Sequence, residues 1–219
     1  MEEIYRTSLG ILYKGDCLDY LKIQPDKSMD VVVTDPPYGV RNDDWDLEFD
    51  KNLKEWLGNC LRISKRCLWF CSGIKLPMIL SLYSELQRLL IWVKPKGSQF
   101  SGAMNSNLWY SIEPILVYGE MLPNDKNKKY GYSHFVYRTV PERKYGHPTT
   151  KPLGLMKDLI YFYSNENEIV LDPFMGSGTT AVACELLRRK WVGIEKEEKY
   201  CKIIIERLKT EARPRKTFI

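Results

Sequence analysis

Asp35-Pro36-Pro37-Tyr38 places a carboxylate, two prolines and an aromatic ring in four consecutive positions. A proline has no N–H, fixes its own φ and restricts the residue before it, so this backbone is stiff. A carboxylate and carbonyl acceptors beside a flat ring suit an amino group attached to a planar base. The alternative is a proline-stiffened turn with no ligand. A second stretch, Asp172-Pro173-Phe174-Met175-Gly176-Ser177-Gly178-Thr179-Thr180, leads with another acid and is rich in glycine. Glycines let the backbone turn tightly and let a ligand approach closely. It is not the phosphate loop GxxxxGK[ST], because no lysine precedes Thr179, and it lacks the GxGxxG spacing of dinucleotide-binding folds.

The acid Asp172 suits a ligand with an ammonium or sulfonium centre, and the following helix N-terminus can receive a carboxylate. An amino-acid-like ligand such as the methionine part of S-adenosylmethionine carries both. Roughly 20 residues further on, Gly193-Ile194-Glu195 puts an acid at a strand end, where such acids accept hydrogen bonds from ribose hydroxyls. A plain βαβ unit with a tight turn is the alternative here.

These residues need elements to position them. Apolar runs predict strands over 9–14, 30–34, 67–71, 90–94, 112–118, 168–171 and 191–194. Helical spacing predicts helices over 17–23, 52–63, 76–90, 152–164, 178–189 and 197–210. Strands alternating with helices imply an α/β fold with a mostly parallel, twisted sheet and helices on both faces. The two acid–proline turns then follow strands 30–34 and 168–171. Residues 39–51 read as an acidic, aromatic loop, and 119–150 as a short polar, basic insertion in a single domain of 1–219.

Composition sets outer limits. A chain of 219 residues with 44% hydrophobic residues and six tryptophans can build one sizeable core. No apolar run approaches the length of a membrane span. Met1-Glu2-Glu3-Ile4-Tyr5-Arg6 lacks the basic start and apolar middle of a signal peptide. Six scattered cysteines without a CxxC pair, and two histidines, argue against zinc and for reduced, buried thiols in a cytoplasmic protein. A net charge of +5 permits a polyanionic partner without demanding one.

Taken together and in this order, the two motifs resemble the β-class S-adenosylmethionine-dependent DNA amino-methyltransferases of the N6-adenine and N4-cytosine family. The resemblance covers nearly the whole chain. It implies a Rossmann-like methyltransferase fold with circularly permuted motif order, S-adenosyl-L-methionine as cofactor, DNA as partner and no metal. Asp35, Pro36, Pro37 and Tyr38 become the catalytic motif, with Asp35 and the Pro36 carbonyl accepting from the target amine and Tyr38 stacking on the base. Gly15-Asp16 with Cys17 looks like the contact to the cofactor's adenine. Thr149 and Lys151, in His147-Pro148-Thr149-Thr150-Lys151-Pro152, resemble the segment that closes over its methionine end. Asp35, Asp172, Pro173, Phe174, Gly176, Ser177, Gly178, Thr179, Glu195 and Lys196 complete the implied cofactor set.

Aspartate at position 35 leans towards adenine N6, because cytosine-N4 members more often have serine there. Cytosine N4 in DNA, adenine in RNA and a non-catalytic nucleic-acid-binding subunit are the alternatives. Many sequence-specific members carry a large target-recognition region, which the 119–150 stretch is too short to be. The expectation is short or relaxed recognition, with a homodimer or partner subunit helping a chain that covers little DNA. A restriction-modification system, a regulatory methylase and a viral methylase all fit. Trp45 is read as a wedge or stacking platform, or as packing on its own loop. Lys94, Lys96, Lys126, Lys128, Lys129, Arg143 and Lys144 are read as phosphate contacts, with solvated surface charge as the alternative. His147 is assigned a structural hydrogen bond in preference to a role as catalytic base, and Glu113, in a strand, is read as orienting a neighbouring loop, with no chemical role.

Overall fold

Period-two alternation in the central strands sends successive side chains to opposite faces of one sheet. Val31 and Val33 share a face with Leu68 and Phe70, whereas Val32 shares the other with Cys67 and Trp69. The computed structural model describes residues 1–38, 49–95, 111–121 and 131–212. Its strands are β1 (Glu2–Arg6), β2 (Gly10–Lys14), β3 (Met29–Thr34), β4 (Ser64–Phe70), β5 (Leu86–Val93), β6 (Ile112–Gly119), β7 (His134–Val136), β8 (Ile169–Asp172) and β9 (Lys190–Glu195). They form one sheet in the order β1-β2-β9-β8-β3-β4-β6-β5-β7. Neighbours from β2 through β4 pair in parallel, while β1 and β6 run antiparallel to theirs.

The helices are α1 (Cys17–Leu21), α2 (Phe49–Ile63), α3 (Leu76–Leu82), α4 (Leu153–Tyr163), α5 (Thr179–Leu187) and α6 (Glu198–Glu211). Helices α1–α3 cover one face of the sheet and α4–α6 the other. In α2, Leu53, Trp56, Leu57, Cys60 and Ile63 are buried at the three- and four-residue spacing of one helical stripe. All six cysteines are buried and free. Among the described residues no helix is long and apolar enough to cross a membrane.

The winding of the sheet positions the site. From β3 the chain passes through α2 to β4 on one side; from β8 it passes through α5 to β9 on the other. The two strands are themselves neighbours, with Val31 opposite Val170 and Val32 opposite Leu171. Their carboxyl ends therefore adjoin at the switch point, where open α/β sheets bind ligands. The motif that ends β3 comes earlier in sequence than the one that ends β8, as the permuted order requires.

Three elements differ from the sequence reading. The helix expected over 76–90 stops at Leu82, and Leu86–Val93 is strand β5, paired antiparallel with β6. Leu82, Leu86, Leu89 and Leu90 fall at helical spacing, but only Leu90 of these is buried, and the alternation that marks the strand is confined to 90–93. Strand β1 pairs with β2 in the charged N-terminal segment. Inside the polar stretch 119–150, β7 adds to β5 in parallel, and Glu142–Lys144 forms a single 3-10 turn. The loop expected over 39–51 lies mostly in 39–48, outside the described residues, and Phe49 already begins α2.

Candidate active site

Asp172 joins the two strand ends. Its Oδ1 accepts from Thr34 Oγ1 of β3 at 2.9 Å and from the Phe174 N–H at 3.1 Å, while Oδ2 accepts from Thr180 Oγ1 at 2.5 Å. The residue is buried. Burial pushes its carboxyl up to about 6 against the opposing hydrogen bonds. A carboxylate read from sequence as facing a cationic ligand is thus engaged by the protein's own donors. It clamps the glycine loop to the end of the neighbouring strand.

Asp35, directly after Thr34, belongs to a cluster of charges. Its Oδ1 accepts from Tyr38 Oη at 2.5 Å, and its Oδ2 meets Lys151 Nζ at 2.5 Å. Lys151 Nζ also lies 3.0 Å from Glu113 Oε1, and Lys94 Nζ lies 2.7 Å from Glu113 Oε2. Aromatic faces surround the Lys151 ammonium, with ring centroids at 5.1 Å for Phe70, 5.7 Å for Tyr38 and 5.8 Å for Trp92. Burial would strip the Lys151 proton, but the Asp35 and Glu113 carboxylates outweigh it and hold the ammonium above its usual range. Burial, aided by the Glu113 charge, raises Asp35 despite Lys151. For Glu113, Lys151 and Lys94 overcome burial and keep the carboxyl below its usual range. Buried charges on this scale are expensive unless paired, and they concentrate at functional sites.

The glycine loop is shaped as a cradle. Gly176 has φ +53° and Gly178 φ +80°, in the left-handed region that favours glycine. A Cβ on Gly176 would lie 3.0 Å from His147 Nε2, and one on Gly178 would lie 2.9 Å from Ile204 Cγ1. Glu195 reaches across from the end of β9: Oε2 accepts from the Gly176 N–H at 2.7 Å and Oε1 from the Glu197 N–H at 2.8 Å. From α6, Arg207 donates to Ser177 O at 2.8 Å and Thr179 Oγ1 at 2.9 Å, and its guanidinium lies 4.0 Å from the Tyr145 ring centroid. Arg207 is buried. Arg207→Met would leave both acceptors without this donor, so it is expected to cost about 2–3 kcal/mol of stability. A urea titration at neutral pH measures that loss.

The remaining implied residues fall around these two centres. Asp16 caps α1, accepting from the Leu18 N–H at 2.9 Å, and Cys17 is buried beneath it; the Gly15 N–H donates to Glu195 O at 3.1 Å, so this turn abuts the β9 end. Lys196 follows there, exposed. Thr149 donates its N–H to His147 Nδ1 at 3.3 Å, and Thr150 Oγ1 donates to Ser177 Oγ at 3.0 Å. Phe174 packs edge-on against Trp56 with centroids 5.0 Å apart, and Pro173 is buried. Arg143 and Lys144 are exposed on the 3-10 turn. Trp45, Lys96, Lys126, Lys128 and Lys129 lie outside the described residues. Lys94 is corrected: its ammonium is bound to Glu113 within the site and is not a surface phosphate contact. Sequence reasoning missed Glu113, Lys94, Thr34 and Arg207 as members. A charged residue inside Ile112-Glu113-Pro114-Ile115-Leu116-Val117 was the one signal that could have found Glu113, since a buried acid needs a partner.

An acid–proline turn facing a glycine cradle across the switch point of a mostly parallel sheet defines a Rossmann-like methyltransferase fold. The chain belongs to the N6/N4 DNA methylase family, whose model, described as DNA methylase, matches residues 29–206. It is 28% identical to the type II methyltransferase M.HinfI of Haemophilus influenzae, over 95% of this chain and 71% of that protein. Identity to M.BamHI of Bacillus amyloliquefaciens is also 28%, over 97% of this chain but only 60% of that longer protein. Among solved structures, the M1.HpyAVI–SAM complex matches with a TM-score of 0.70 at 27% identity, over 91% of this chain and 99% of that one. The PvuII DNA methyltransferase, described as cytosine-N4-specific, matches with a TM-score of 0.75 over 94% of this chain and 88% of that one; at 18% identity this is a likeness of fold alone.

Proposed function

We propose that this chain, acting as a single methyltransferase domain, transfers a methyl group from S-adenosylmethionine to the exocyclic N6 amine of adenine in DNA. Recognition would be short or relaxed, or shared with a second copy or partner subunit. The observation that carries this reading is the Thr34–Asp172 hydrogen bond, which fixes the Asp35 turn beside the glycine cradle. The cradle fits the cofactor: left-handed Gly176 and Gly178 turn the loop tightly, and Glu195 offers acceptor oxygens at the strand end. Asp16, Gly176, Ser177, Gly178 and Glu195 would hold it, with Thr149 and Lys151 beside its methionine end. Once bound, it supplies an electrophilic methyl group on a sulfonium.

The protein's part is to prepare the amine. The nitrogen lone pair is delocalised into the base ring, so the amine is a poor nucleophile. Asp35 and the Pro36 carbonyl accept its two hydrogens, which favours a pyramidal nitrogen with its lone pair turned outward. Tyr38 stacks on a base that has left the duplex. Positioning and a fixed electrostatic field account for most of the acceleration. Asp35 need not be a strong base, because the alkylated nitrogen is acidic and sheds its proton readily.

Mass spectrometry of nucleosides after incubation with DNA, and separately with RNA, tests the reading. N6-methyladenine in DNA is the expected product. N4-methylcytosine without N6-methyladenine would transfer the assignment to cytosine, and methylated adenine in RNA alone would replace DNA as substrate.

Cofactor affinity should depend on pH through Glu195. Burial pushes this carboxyl up to about 7, above the pull of the Glu197 and Gly176 N–H groups. Ribose hydroxyls donate best to the ionised form, so below pH 7 binding must expel a proton. Affinity for S-adenosylmethionine is expected to rise by up to about tenfold per pH unit towards 7 and to level off above it. Calorimetry from pH 5.5 to 8.5 measures this, and Glu195→Gln should bind more weakly with a flatter profile.

A further inference from the structure

Two hydrogen-bond donors at the candidate site are held in common by two carboxylates. Tyr38 Oη lies 2.5 Å from Asp35 Oδ1 and 2.8 Å from Glu113 Oε1. Lys151 Nζ lies 2.5 Å from Asp35 Oδ2 and 3.0 Å from Glu113 Oε1. A phenol has one proton to donate, so Tyr38 can serve the two acids alternately. The second Glu113 oxygen is occupied by Lys94. These five residues come from four places in the fold: the turn after β3, strand β6, the end of β5 and the lead into α4.

This arrangement matters once an amine arrives. Both Asp35 oxygens already accept a donor from the protein. Each oxygen keeps a further lone pair for an N–H, but turning Asp35 towards a substrate amine draws it away from at least one of these donors. A donor released into a buried site with no other acceptor would cost about 1–3 kcal/mol, more when it is charged. Glu113 stands within hydrogen-bond distance of both donors, so either can shift to it without movement of the main chain. Lys151 and Lys94 together keep Glu113 anionic and therefore able to accept them.

We propose that Glu113 is a positioning residue for the methyl transfer, taking over Tyr38 and Lys151 as Asp35 turns to the substrate amine. This rests on the reading of the site as an amino-methyltransferase. Glu113 is assigned no contact with the amine or the cofactor and acts through the donors it shares with Asp35. The groups that face Asp35 are Tyr38 on its own turn, Lys151 before α4, Glu113 on β6, Cys71 after β4 and Asp172 on β8. Lys94 acts on it through Glu113.

The test compares the full-length wild type with Glu113→Gln and Lys151→Met, measuring kcat, KM for DNA, cofactor affinity by calorimetry and the pH profile of kcat. Glu113→Gln is expected to lower kcat by about 10- to 100-fold, because Lys151 then falls undivided on Asp35 and the acceptor is misaligned. Cofactor affinity should change less than about twofold. The acidic limb of the profile should move to lower pH, since the repelling charge is gone and the ammonium is no longer shared. Lys151→Met should move the same limb to higher pH, because the two carboxylates then face each other without a cation between them. A wild-type kcat in Glu113→Gln overturns the proposal. So does a loss of kcat matched by an equal loss of cofactor affinity with the limb unmoved, which is the mark of a structural role. If Glu113→Gln fails to fold, an unmoved limb in Lys151→Met overturns it independently. A wild type that methylates neither adenine nor cytosine overturns the functional reading and this proposal with it, whereas normal wild-type turnover with unaffected variants overturns only the role of Glu113.

Discussion

Asp35→Ala should lower methyl transfer by at least about a thousandfold while leaving affinity for S-adenosylmethionine within about threefold. The asymmetry follows from position. Asp35 lies at the end of β3 and is bound by Tyr38 and Lys151, whereas the glycine cradle is supported by Asp172, Glu195 and Arg207. Truncating Asp35 removes an acceptor for the amine without removing a support of the cradle. Removing one preorganised polar contact at a reacting centre typically costs about 100- to 1,000-fold, and the lost alignment of the base adds to that. Lys151 keeps a carboxylate partner in Glu113, so the variant is not left with an unpaired buried ammonium. Single-turnover transfer of a labelled methyl group, read beside calorimetric cofactor binding, measures both quantities. Turnover within tenfold of wild type would remove Asp35 from the chemistry.

The features that carry the site were legible because they break the chain's regularity. Pro36 and Pro37 after Val31-Val32-Val33, and Gly176 and Gly178 after Val170-Leu171, mark abrupt ends to buried strands. The alternation in β3 and β4 was equally plain. What escaped were pairings decided elsewhere in the chain. Leu86–Val93 carries leucines at helical spacing and becomes a strand because β6 supplies a ladder from Ile112 to Tyr118. Strands β1 and β7 are short edges with little apolar signal of their own, drawn in by β2 and β5. Glu113 stands opposite Trp92 in the β5–β6 pair and Lys94 lies just past the end of β5, and only that register brings a basic residue read as surface charge onto the buried acid. The local chemistry was written in the turns; the charge network was written in the pairing of distant strands.

Asp172 separates two accounts of how the cofactor loop works. If its carboxylate acted by meeting a cationic ligand, Asn and Ala in its place would weaken cofactor binding alike. The geometry instead makes it a clamp that accepts from Thr34, Thr180 and the Phe174 N–H. Asparagine can keep this clamp: its oxygen accepts from Thr34 and Phe174, and the Thr180 hydroxyl turns to accept from its amide. Alanine leaves all three donors unmatched and should cost about 3 kcal/mol of stability and at least about tenfold in cofactor affinity. The pH dependence sharpens the contrast. Burial raises Asp172 from 3.8 to about 6. A raised carboxyl favours the folded state while the proton is on, so its stabilising effect is complete below 3.8 and is lost as pH rises through about 6. The loss above that range is about 3 kcal/mol, which Asp172→Asn escapes because it never ionises. Urea titrations should therefore find Asp172→Asn at least as stable as wild type at pH 8 and no more stable at pH 3.5, with Asp172→Ala below both at pH 8. An Asn variant that binds the cofactor as poorly as the Ala variant, at full stability, would make Asp172 a direct ligand contact instead of the clamp that holds the glycine loop to β3.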